Sequence, residues 1–354
     1  MNRRWICNDV WMDTLPFFDR PELGLKMALL SPRFDALVDK HFDGKSELTI
    51  WRPIVIHKHN VTAASELSVV VEVGNSVPFP LPDRPLPNKI RFRQLEIRYI
   101  DYSVIAFLRS NKQIWDKGTN LRLFVPSSND IDVQPICDDF HRQIWPIFAT
   151  NIRHLGFPGA DHLNDLRRLI SPTFLTNLNI NSISSGHLLF PDAIADDGPN
   201  GTSAGQALSN WLHTPTKNGQ PKRLRCLNYL KSANIEWVNN LKKIFLRATT
   251  SVHYKIQFTF HASTQMVPFE LENERTKEKL TLIKEGGNHL HNRWIIKRCQ
   301  IGETAAINWE DENWDDLNAV QFVLLSINYI GPLYPPPSAA EEEAKKGASS
   351  DNDE

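Results

Sequence analysis

The spacing of apolar positions divides the chain into stretches with different predicted structure. The first 45 residues carry apolar side chains at helical spacing, which predicts three short helices. Between residues 92 and 250, short runs rich in branched side chains alternate with longer amphipathic runs, a pattern typical of strands that alternate with helices. From residue 252 the apolar period falls to two, as in VHYKIQFTF, which predicts an antiparallel β unit.

Five strand–helix units are predicted between residues 92 and 250. Their strands are FRQLEIRYID, NLRLFVP, IRHLGFPG, FLTNLNINSI (Phe174 to Ile183) and RLRCLNYL. The anchors Leu95, Leu121, Leu155, Leu178 and Leu224 are 26, 34, 23 and 46 residues apart, and the first three intervals are near the unit length of leucine-rich-type repeats. Because one unit cannot bury its apolar face alone, stacked units would share a core and a parallel sheet. We expect an α/β fold built as an irregular strand–helix solenoid, with an ordinary open α/β sheet as the alternative.

The remaining stretches complete the predicted division of the chain. LTIWRPIVIHK and LSVVVEV predict two strands, and the proline-dense VPFPLPDRPLP after them suits only an extended linker or an edge position. AVQFVLLSINYI is a helix or a strand, and the acidic end is predicted to be disordered. The predicted regions are 1–45 (helical module), 46–91 (β hairpin and connector), 92–250 (strand–helix repeats), 251–334 (β-rich cap) and 335–354 (acidic tail).

The apolar positions of the first forty residues follow a particular order. They are Ile6-Cys7-Asn8-Asp9-Val10-Trp11, then Leu15, Phe17 and Phe18, then Pro21-Glu22-Leu23, and last Leu29-Leu30-Ser31-Pro32-Arg33-Phe34 with Leu37 and Val38. This order resembles an F-box, the helical module that docks onto the Skp adaptor of a cullin-RING ubiquitin ligase. Cys7 replaces the usual early Pro, Pro32 is unusual in the last signature, and the stretch from Leu23 to Ser31 is one residue longer than common. The resemblance implies that Val10, Trp11, Leu15, Leu23 and Leu30 face the adaptor.

A second set of motifs lies further along the chain. NWLHTPTKNGQPKRLRCLNYL, VPFELENERTKEKLTL and NRWIIKRCQIGE resemble, in this order, segments of a group of F-box proteins expanded in nematodes. The similarity runs from about residue 5 to 315, and Gln300 stands where that group commonly has Pro. The resemblance implies an adaptor-bound recognition protein without enzymatic activity.

The residues of the helical module support the same interpretation on physical grounds. A segment this short cannot cover all of its apolar side chains, so the rest of the chain or a partner must cover the surplus. Asp19 before Pro21 and Ser31 before Pro32 are predicted helix starts. A helical cap without a partner is the alternative. A helix-turn-helix DNA reader is disfavoured because the net charge is −1 and the pI near 6.9.

Composition further limits the kind of protein and the compartment in which it is expected. No apolar run approaches the roughly 20 residues of a membrane helix. The polar start lacks the apolar core of a signal peptide. The four cysteines are far apart in sequence, which favours reduced thiols in the cytoplasm or nucleus over a disulfide framework or zinc site.

Candidate chemistry is sparse. The pairs His57–His59 and His289–His291 are interpreted as surface histidines, because no further ligand has metal-site spacing. No glycine-rich phosphate loop or GxSxG elbow occurs. Aromatic residues at or just beyond the predicted strand ends are candidate anchors for a bound protein: Tyr99, Tyr102, Phe124, Phe157 and Tyr229.

The predicted function is substrate recognition in a Skp-cullin-F-box ubiquitin ligase. The helical module would bind the Skp adaptor and its cullin scaffold, and the rest would hold a protein target, with no cofactor, nucleic acid or membrane. A repeat-type interaction scaffold unrelated to ubiquitin is the alternative. A metal or hydrolytic enzyme is a third possibility, which zinc binding at His57 and His59 would support.

Overall fold

The computed structural model describes most of the chain up to residue 302 and one strand beyond it. The described residues are 6–42, 48–50, 54–57, 66–72, 75–82, 84–87, 90–92, 94–115, 119–124, 140–150, 152–177, 180–187, 190–192, 203–216, 219–227, 236–302 and 322–326. Within them the protein is mixed α/β with a mostly parallel sheet, which confirms the predicted fold class at this level. The predicted tail, 335–354, lies outside the described residues.

Three consecutive helical segments form the N-terminal module, as predicted. They are α1 (Asn8–Thr14) with a 3-10 turn (Leu15–Phe17); α2 (Arg20–Glu22), continued by a π-helical stretch (Leu23–Met27) and α3 (Ala28–Leu30); and α4 (Pro32–His41). The Asp19 carboxylate accepts a hydrogen bond from the Glu22 amide at 2.8 Å. The Ser31 hydroxyl accepts one from the Phe34 amide at 3.4 Å. Both predicted helix starts are therefore confirmed.

Most of the described strands join one sheet. The strands are β1 (Leu48–Ile50), β2 (Ile54–His57), β3 (Glu66–Glu72), β4 (Asn75–Pro80), β5 (Ile90–Phe92), β6 (Gln94–Ile97), β7 (Thr119–Phe124), β8 (Ile152–Gly159), β9 (Ser182–His187), β10 (Lys222–Leu227), β11 (Tyr254–His261), β12 (Phe269–Asn273), β13 (Glu278–Gly287), β14 (His291–Gln300) and β15 (Phe322–Ser326). Among the described residues, thirteen of them follow the order β12-β13-β14-β11-β10-β9-β8-β7-β15-β6-β2-β3-β4, and β1 pairs with β5 separately. The eight strands from β11 to β2 are parallel, and antiparallel strands close both ends.

Helices connect the parallel strands. They are α5 (Tyr102–Ser110), α6 (Lys112–Trp115), a π-helical turn (Phe140–Ile144) leading into α7 (Trp145–Phe148), α8 (Ala160–Leu169), α9 (Phe174–Asn177), α10 (Ala204–His213) and α11 (Glu236–Arg247). Their apolar faces, with residues such as Leu108, Leu166, Leu212 and Leu241, are buried in one core. Amphipathic helices on a parallel sheet hide their apolar stripes in this way.

A single row of buried apolar residues crosses the sheet. The register aligns, strand by strand, Ile54, Leu95, Val323, Leu121, Leu155, Ile183, Leu224, Ile256, Ile296 and Leu282. All of them are at most 2% exposed. Four of the five predicted anchors lie in this row. The fifth, Leu178, lies outside the described residues, and Ile183 occupies the position on β9.

Two parts of the sequence-based prediction need correction. Phe174–Asn177 is helical rather than the start of a strand, because Phe174 and Leu175 are buried in the core after a turn that Ser171 begins. The strand of this unit begins instead at Ser182, near the end of the predicted strand, and runs to His187. Phe322–Ser326 is a strand, but it lies between β6 and β7 in the middle of the sheet rather than with the hairpins that begin the predicted cap. The proline-bearing β4 is an edge strand, where its missing donors cost least.

Candidate binding surfaces

The N-terminal module divides its apolar side chains between the core and solvent. Among the positions predicted to face an adaptor, Val10 is 52% and Leu30 62% exposed, and Trp11 is half-buried. Leu15 and Leu23 are buried in the same core as the sheet. Phe17, at 86%, is the most exposed apolar residue of the described module. The module is therefore attached to the sheet by one side and keeps apolar side chains in water on another.

Polar contacts fix the start of the module. The Arg33 guanidinium donates to the Asn8 side-chain oxygen at 2.7 and 2.9 Å and to the Ile6 carbonyl at 2.5 Å. The rings of Trp11 and Phe34 meet edge to face, with centroids 4.8 Å apart. These contacts hold α1 against α4, so the exposed apolar residues do not depend on a partner for their arrangement.

The aromatic residues predicted to anchor a target occupy different environments. Tyr102 is 40% exposed and Tyr99 is half-buried, at and just before the start of α5. Phe157 is 3% exposed within the core, so the anchor role predicted for it does not fit its position. The side chain of Phe124 and all of Tyr229 lie outside the described residues.

The face of the parallel sheet opposite the core is polar and basic. Successive side chains of a strand point to opposite faces, so the neighbours of the apolar row lie on this second face. In β7 to β11 they are Asn120, Arg122, His154, Gly156, Ser182, Ser184, Arg223, Arg225, Lys255 and Gln257, a set we call the polar face. On a chain of net charge −1, four cations in this small area are a local concentration of positive charge.

A glycine leaves room at the centre of the polar face. Arg122, Gly156, Ser184 and Arg225 are register partners on four adjacent strands. A Cβ atom at Gly156 would lie 2.9 Å from the Ser184 hydroxyl and 3.6 Å from Nε of Arg122. The Arg122 side chain therefore occupies the space above Gly156.

His154 connects the hydroxyl groups of the polar face. Its Nδ1 lies 2.8 Å from the Ser182 hydroxyl oxygen, and its Nε2 lies 2.9 Å from that of Ser184. Burial, together with the positive charges of Arg122 and Arg225, lowers the pKa of His154 to about 4. Burial and the charge of Arg225 likewise lower the pKa of Arg122. At neutral pH the imidazole is uncharged while the two guanidinium groups remain charged.

A second polar cluster joins the distant motifs. Arg298, of the NRWIIKRCQIGE motif, donates to Oε2 of Glu278 at 2.6 and 3.0 Å, and both residues are fully buried. Burial and the charges of Arg298 and Lys222 lower the pKa of His213, of the WLHTP motif, to about 4. Lys222 donates to the carbonyls of Trp211 and Thr214. Arg298, Glu278 and Lys222 find their partners within the chain, which is typical of a structural brace, whereas Nε2 of His213 is buried without a hydrogen-bond partner.

A cavity of about 440 Å³ opens beside this cluster. Its lining includes His213, Lys243, Arg247, Thr250 and Arg298. Arg298 is already bound to Glu278 and to the Thr250 carbonyl, so its charge is offset inside the protein.

The histidine pairs do not form a metal site in the part of the chain that the structure describes. His57 ends β2, and His59 lies outside the described residues. His291 faces His261 with ring centroids 6.0 Å apart, without a third ligand. No group of three or more His, Cys, Asp or Glu residues there could hold a metal ion. Likewise, none of the described helices is long and apolar enough to cross a membrane.

The polar face was missed by the sequence-based search for sites. Its signal is present in RLRCL, where basic residues alternate with buried ones, and in LRLF and RHLGF. Each of these three short sequences alone predicts an ordinary strand with one face exposed to solvent. The concentration of charge appears only when the strands are placed side by side.

Fold and surfaces together define a mixed α/β protein with an apolar-faced helical module and a polar, basic sheet face. Comparison with known proteins adds no relative: no protein family, curated protein or solved structure matches the chain.

Proposed function

We propose that the protein is the substrate-recognition subunit of a Skp-cullin-F-box ubiquitin ligase. The N-terminal module binds the Skp adaptor, and the sheet-bearing part holds a protein target. Transfer of ubiquitin is then promoted by proximity, since holding target and charged enzyme on one scaffold raises their effective concentration. The chain itself supplies recognition and contributes no catalytic group.

The observation that carries the proposal is the exposed apolar surface of the module. Val10, Phe17 and Leu30 are each more than half exposed. Full burial of a Leu, Val or Phe side chain is worth about 1.5–3 kcal/mol, so covering what these residues still expose contributes about 1–2 kcal/mol each. Because the Arg33 contacts already fix α1 against α4, binding would require little reorganisation of the described module.

The remainder of the chain suits a target-holding role. From β7 to β11 the strand order follows the chain order, which supports the leucine-rich-repeat-like solenoid that the sequence predicts. Such an array presents one long face, and here that face is the polar one. The described cysteines form no disulfide, with Cys7 exposed and Cys226 and Cys299 buried, which supports a reducing compartment such as the cytoplasm or nucleus.

The test is capture of a purified Skp adaptor by the full chain. Val10→Asp and Leu30→Asp each place a charge in the proposed interface, and we expect at least a hundredfold loss of affinity, about 3 kcal/mol. Leu15 and Leu23 are unsuitable for this test because a charge at either buried site would disturb folding.

Matched controls are available elsewhere on the surface. Leu246→Asp and Val267→Asp change apolar residues that are 52% and 79% exposed outside the module. Both controls should capture the adaptor like the unmodified chain. Capture by Val10→Asp and Leu30→Asp at the unmodified level, measured on folded protein, would exclude the proposed interface.

A repeat-type interaction scaffold unrelated to ubiquitin is the second candidate. It is favoured by the burial of Leu15, Leu23 and Leu25 in the core shared with the sheet, as expected of a module that caps the array. A scaffold of this kind should be monomeric and soluble alone and should not bind the adaptor. A receptor purified without its adaptor should self-associate through Val10, Phe17 and Leu30, and the Asp variants should reduce that association.

A further inference from the structure

The cavity of about 440 Å³ is lined by the last residue of α10, the last two turns of α11 and the segment that leads into β11. Besides the five residues named above, its lining includes Asn240, Ile244, Ala248, Thr249 and Val252. Small-molecule sites in proteins usually have volumes of about 300–1,000 Å³. At about 30 Å³ for each water-sized group, this cavity has room for roughly 15 such groups.

Two cations of the lining have no partner in the described part of the chain. Lys243 and Arg247 are four residues apart on α11, so they lie on the same side of the helix. Both are exposed, and neither side chain forms a hydrogen bond or an ion pair with the residues that the structure describes. The neighbouring Lys242 is different, because its ammonium group lies 4.0 Å from the centroid of the Phe269 ring and it is not part of the lining.

No negative group offsets these two charges within the described lining, which contains no carboxylate. Glu278 is fully buried behind Arg298, with which it forms an ion pair at 2.6 Å. The end of α11 also contributes little negative potential. The side-chain amide of Asn273 donates to the carbonyls of Phe245 and Ala248 at 2.6 and 3.0 Å, which satisfies carbonyls that the helix leaves free at this end.

The remaining lining carries no unpaired charge. Nδ1 of His213 lies 2.8 Å from the Ser209 carbonyl oxygen, so the imidazole proton is on Nδ1. Burial holds the pKa of His213 at about 4, and the ring is therefore neutral at pH 7. Ile244 and Val252 add apolar surface. A ligand would meet two positive charges on α11 and neutral, partly apolar surface elsewhere.

These features select the charge and the size of a ligand. A dianion pairs with both cations at once, whereas a monoanion leaves one of them unmatched. A guanidinium group binds a phosphoryl or carboxylate group through two parallel hydrogen bonds, and an ammonium group acts as a point charge. Inorganic phosphate is too small to fill the cavity, so the ligand needs an organic body that covers the apolar lining.

We propose that this cavity binds a small organic dianion, with its negative charges at Lys243 and Arg247 and its body against Ile244, Val252 and His213. Phosphate monoesters and dicarboxylates share this chemistry. The site includes no residue of the N-terminal module, so it stands independently of the adaptor binding proposed above.

The test is isothermal titration calorimetry of the full chain with four aromatic compounds of similar size, at about pH 7.5, where a phosphate monoester carries close to two charges. Phenyl phosphate and isophthalate are the dianions, benzenesulfonate is the monoanion, and phenol is neutral. We expect at least one dianion to bind with a Kd of about 1 mM or lower, and at least tenfold more tightly than the monoanion and phenol. The tighter dianion assigns the site to phosphoryl or to carboxylate groups. Failure of both dianions to bind, or equal binding of benzenesulfonate, would overturn the proposal.

Charge variants separate the cavity from general positive charge. Lys243→Gln and Arg247→Gln should each weaken dianion binding at least fivefold. Lys242→Gln is the matched control, because it removes the same charge one residue away from a side chain that lies over Phe269, and it should leave binding unchanged. An equal loss in Lys242→Gln and Lys243→Gln would reduce the effect to net charge and refute the site.

A change of volume without a change of charge tests the position of the ligand. Ala248→Leu fills part of the cavity and should weaken dianion binding at least fivefold, with thermal unfolding as the check on folding. Ile244→Phe fills the same space from α11 and replaces it if Ala248→Leu does not fold. Undiminished binding by the folded variant would place the ligand outside the cavity and contradict the proposal.

Two further measurements distinguish this proposal from its alternatives. The chain between β14 and β15 contains Glu310, Asp311 and Glu312. If the dianions bound only after all three were replaced by Gln, the cations of the cavity would serve this acidic stretch and the proposal would be rejected. Adaptor capture is measured in parallel. Capture without dianion binding would reject this site alone, and dianion binding without capture would reject the receptor function alone.

Discussion

The buried ion pair between Glu278 and Arg298 allows a sharp test of what holds the C-terminal strands in place. Glu278 is 0% and Arg298 1% exposed, and Nη2 of Arg298 lies 2.6 Å from Oε2 of Glu278. The other carboxylate oxygen of Glu278 accepts from the Val252 amide at 2.9 Å and from the Ser251 hydroxyl at 2.8 Å. The pair thus links β13 and β14 to the segment that leads into β11.

The perturbation is Glu278→Gln, which keeps the size and one of the two acceptor oxygens but removes the negative charge. Arg298 is then left as a buried charge without its counterion, which costs about 3–5 kcal/mol of unfolding free energy. Arg298→Met should cost a similar amount. Glu278→Leu combined with Arg298→Met removes both charges and should be more stable than either single variant. It should remain below the unmodified chain, because the Val252 amide loses its acceptor.

The assay is urea unfolding followed by tryptophan fluorescence, in which Trp294 of β14 is one reporter. Arg293→Gln is the control, since Arg293 and Glu285 form an exposed pair on the same two strands at 3.8 Å. An exposed pair of this kind is worth at most about 1 kcal/mol. If Glu278→Gln were no more destabilising than Arg293→Gln, or if the double variant cost the sum of the single ones, the reasoning would be refuted.

Two further predictions concern pH and helix capping. Burial holds the pKa of His154 and of His213 at about 4, below the unfolded value of 6.5, so the unfolded state binds more protons and stability falls as pH drops from 7 to 5. The loss of unfolding free energy is at most about 2 kcal/mol for each histidine. Replacing either histidine with Gln should flatten the dependence of the unfolding free energy, measured in urea, on pH across this range. An unchanged pH dependence in both variants would contradict the assignment. At the start of α10, Ser203 and Gln206 form a reciprocal pair of hydrogen bonds. Ser203→Ala should therefore lower the unfolding free energy by about 1 kcal/mol, measured against the exposed control Gln265→Ala. Equal stability of the two variants would count against the cap.

Local features of the fold were predictable because they depend on short stretches of sequence. The helix starts at Asp19 and Ser31 follow from side chains that cap their own helix. The strands are identified by short runs rich in branched side chains around Leu95, Leu121, Leu155 and Leu224. The stretch from residue 174 to 187 was misassigned because the prediction there also used only the local apolar pattern. In SISSGH only Ile183 is an apolar residue, since its buried neighbour on the same face is Ser185, so the apolar pattern favours the preceding residues, although Phe174–Asn177 is a helix.

Features that depend on distant pairing could not be predicted in this way. No local pattern indicates that β15 enters the sheet between β6 and β7, because its partners are far away in the sequence. The same holds for the candidate sites. The exposure of Val10 beside the burial of Leu15 depends on how the module packs, and the alignment of Arg122 with Arg225 in one register row depends on strand order.

The position of β15 also has a consequence for how the chain folds during its synthesis on the ribosome. β6 and β7 are synthesised about 200 residues before the strand that finally separates them. At about 5–20 residues per second, the nascent chain spends roughly 10–40 s without this interior strand, with the edges of β6 and β7 open to other chains or chaperones. A premature stop just before Phe322 therefore removes an interior strand rather than a terminal appendage, and leaves eight of the described strands on one side of the gap and four on the other.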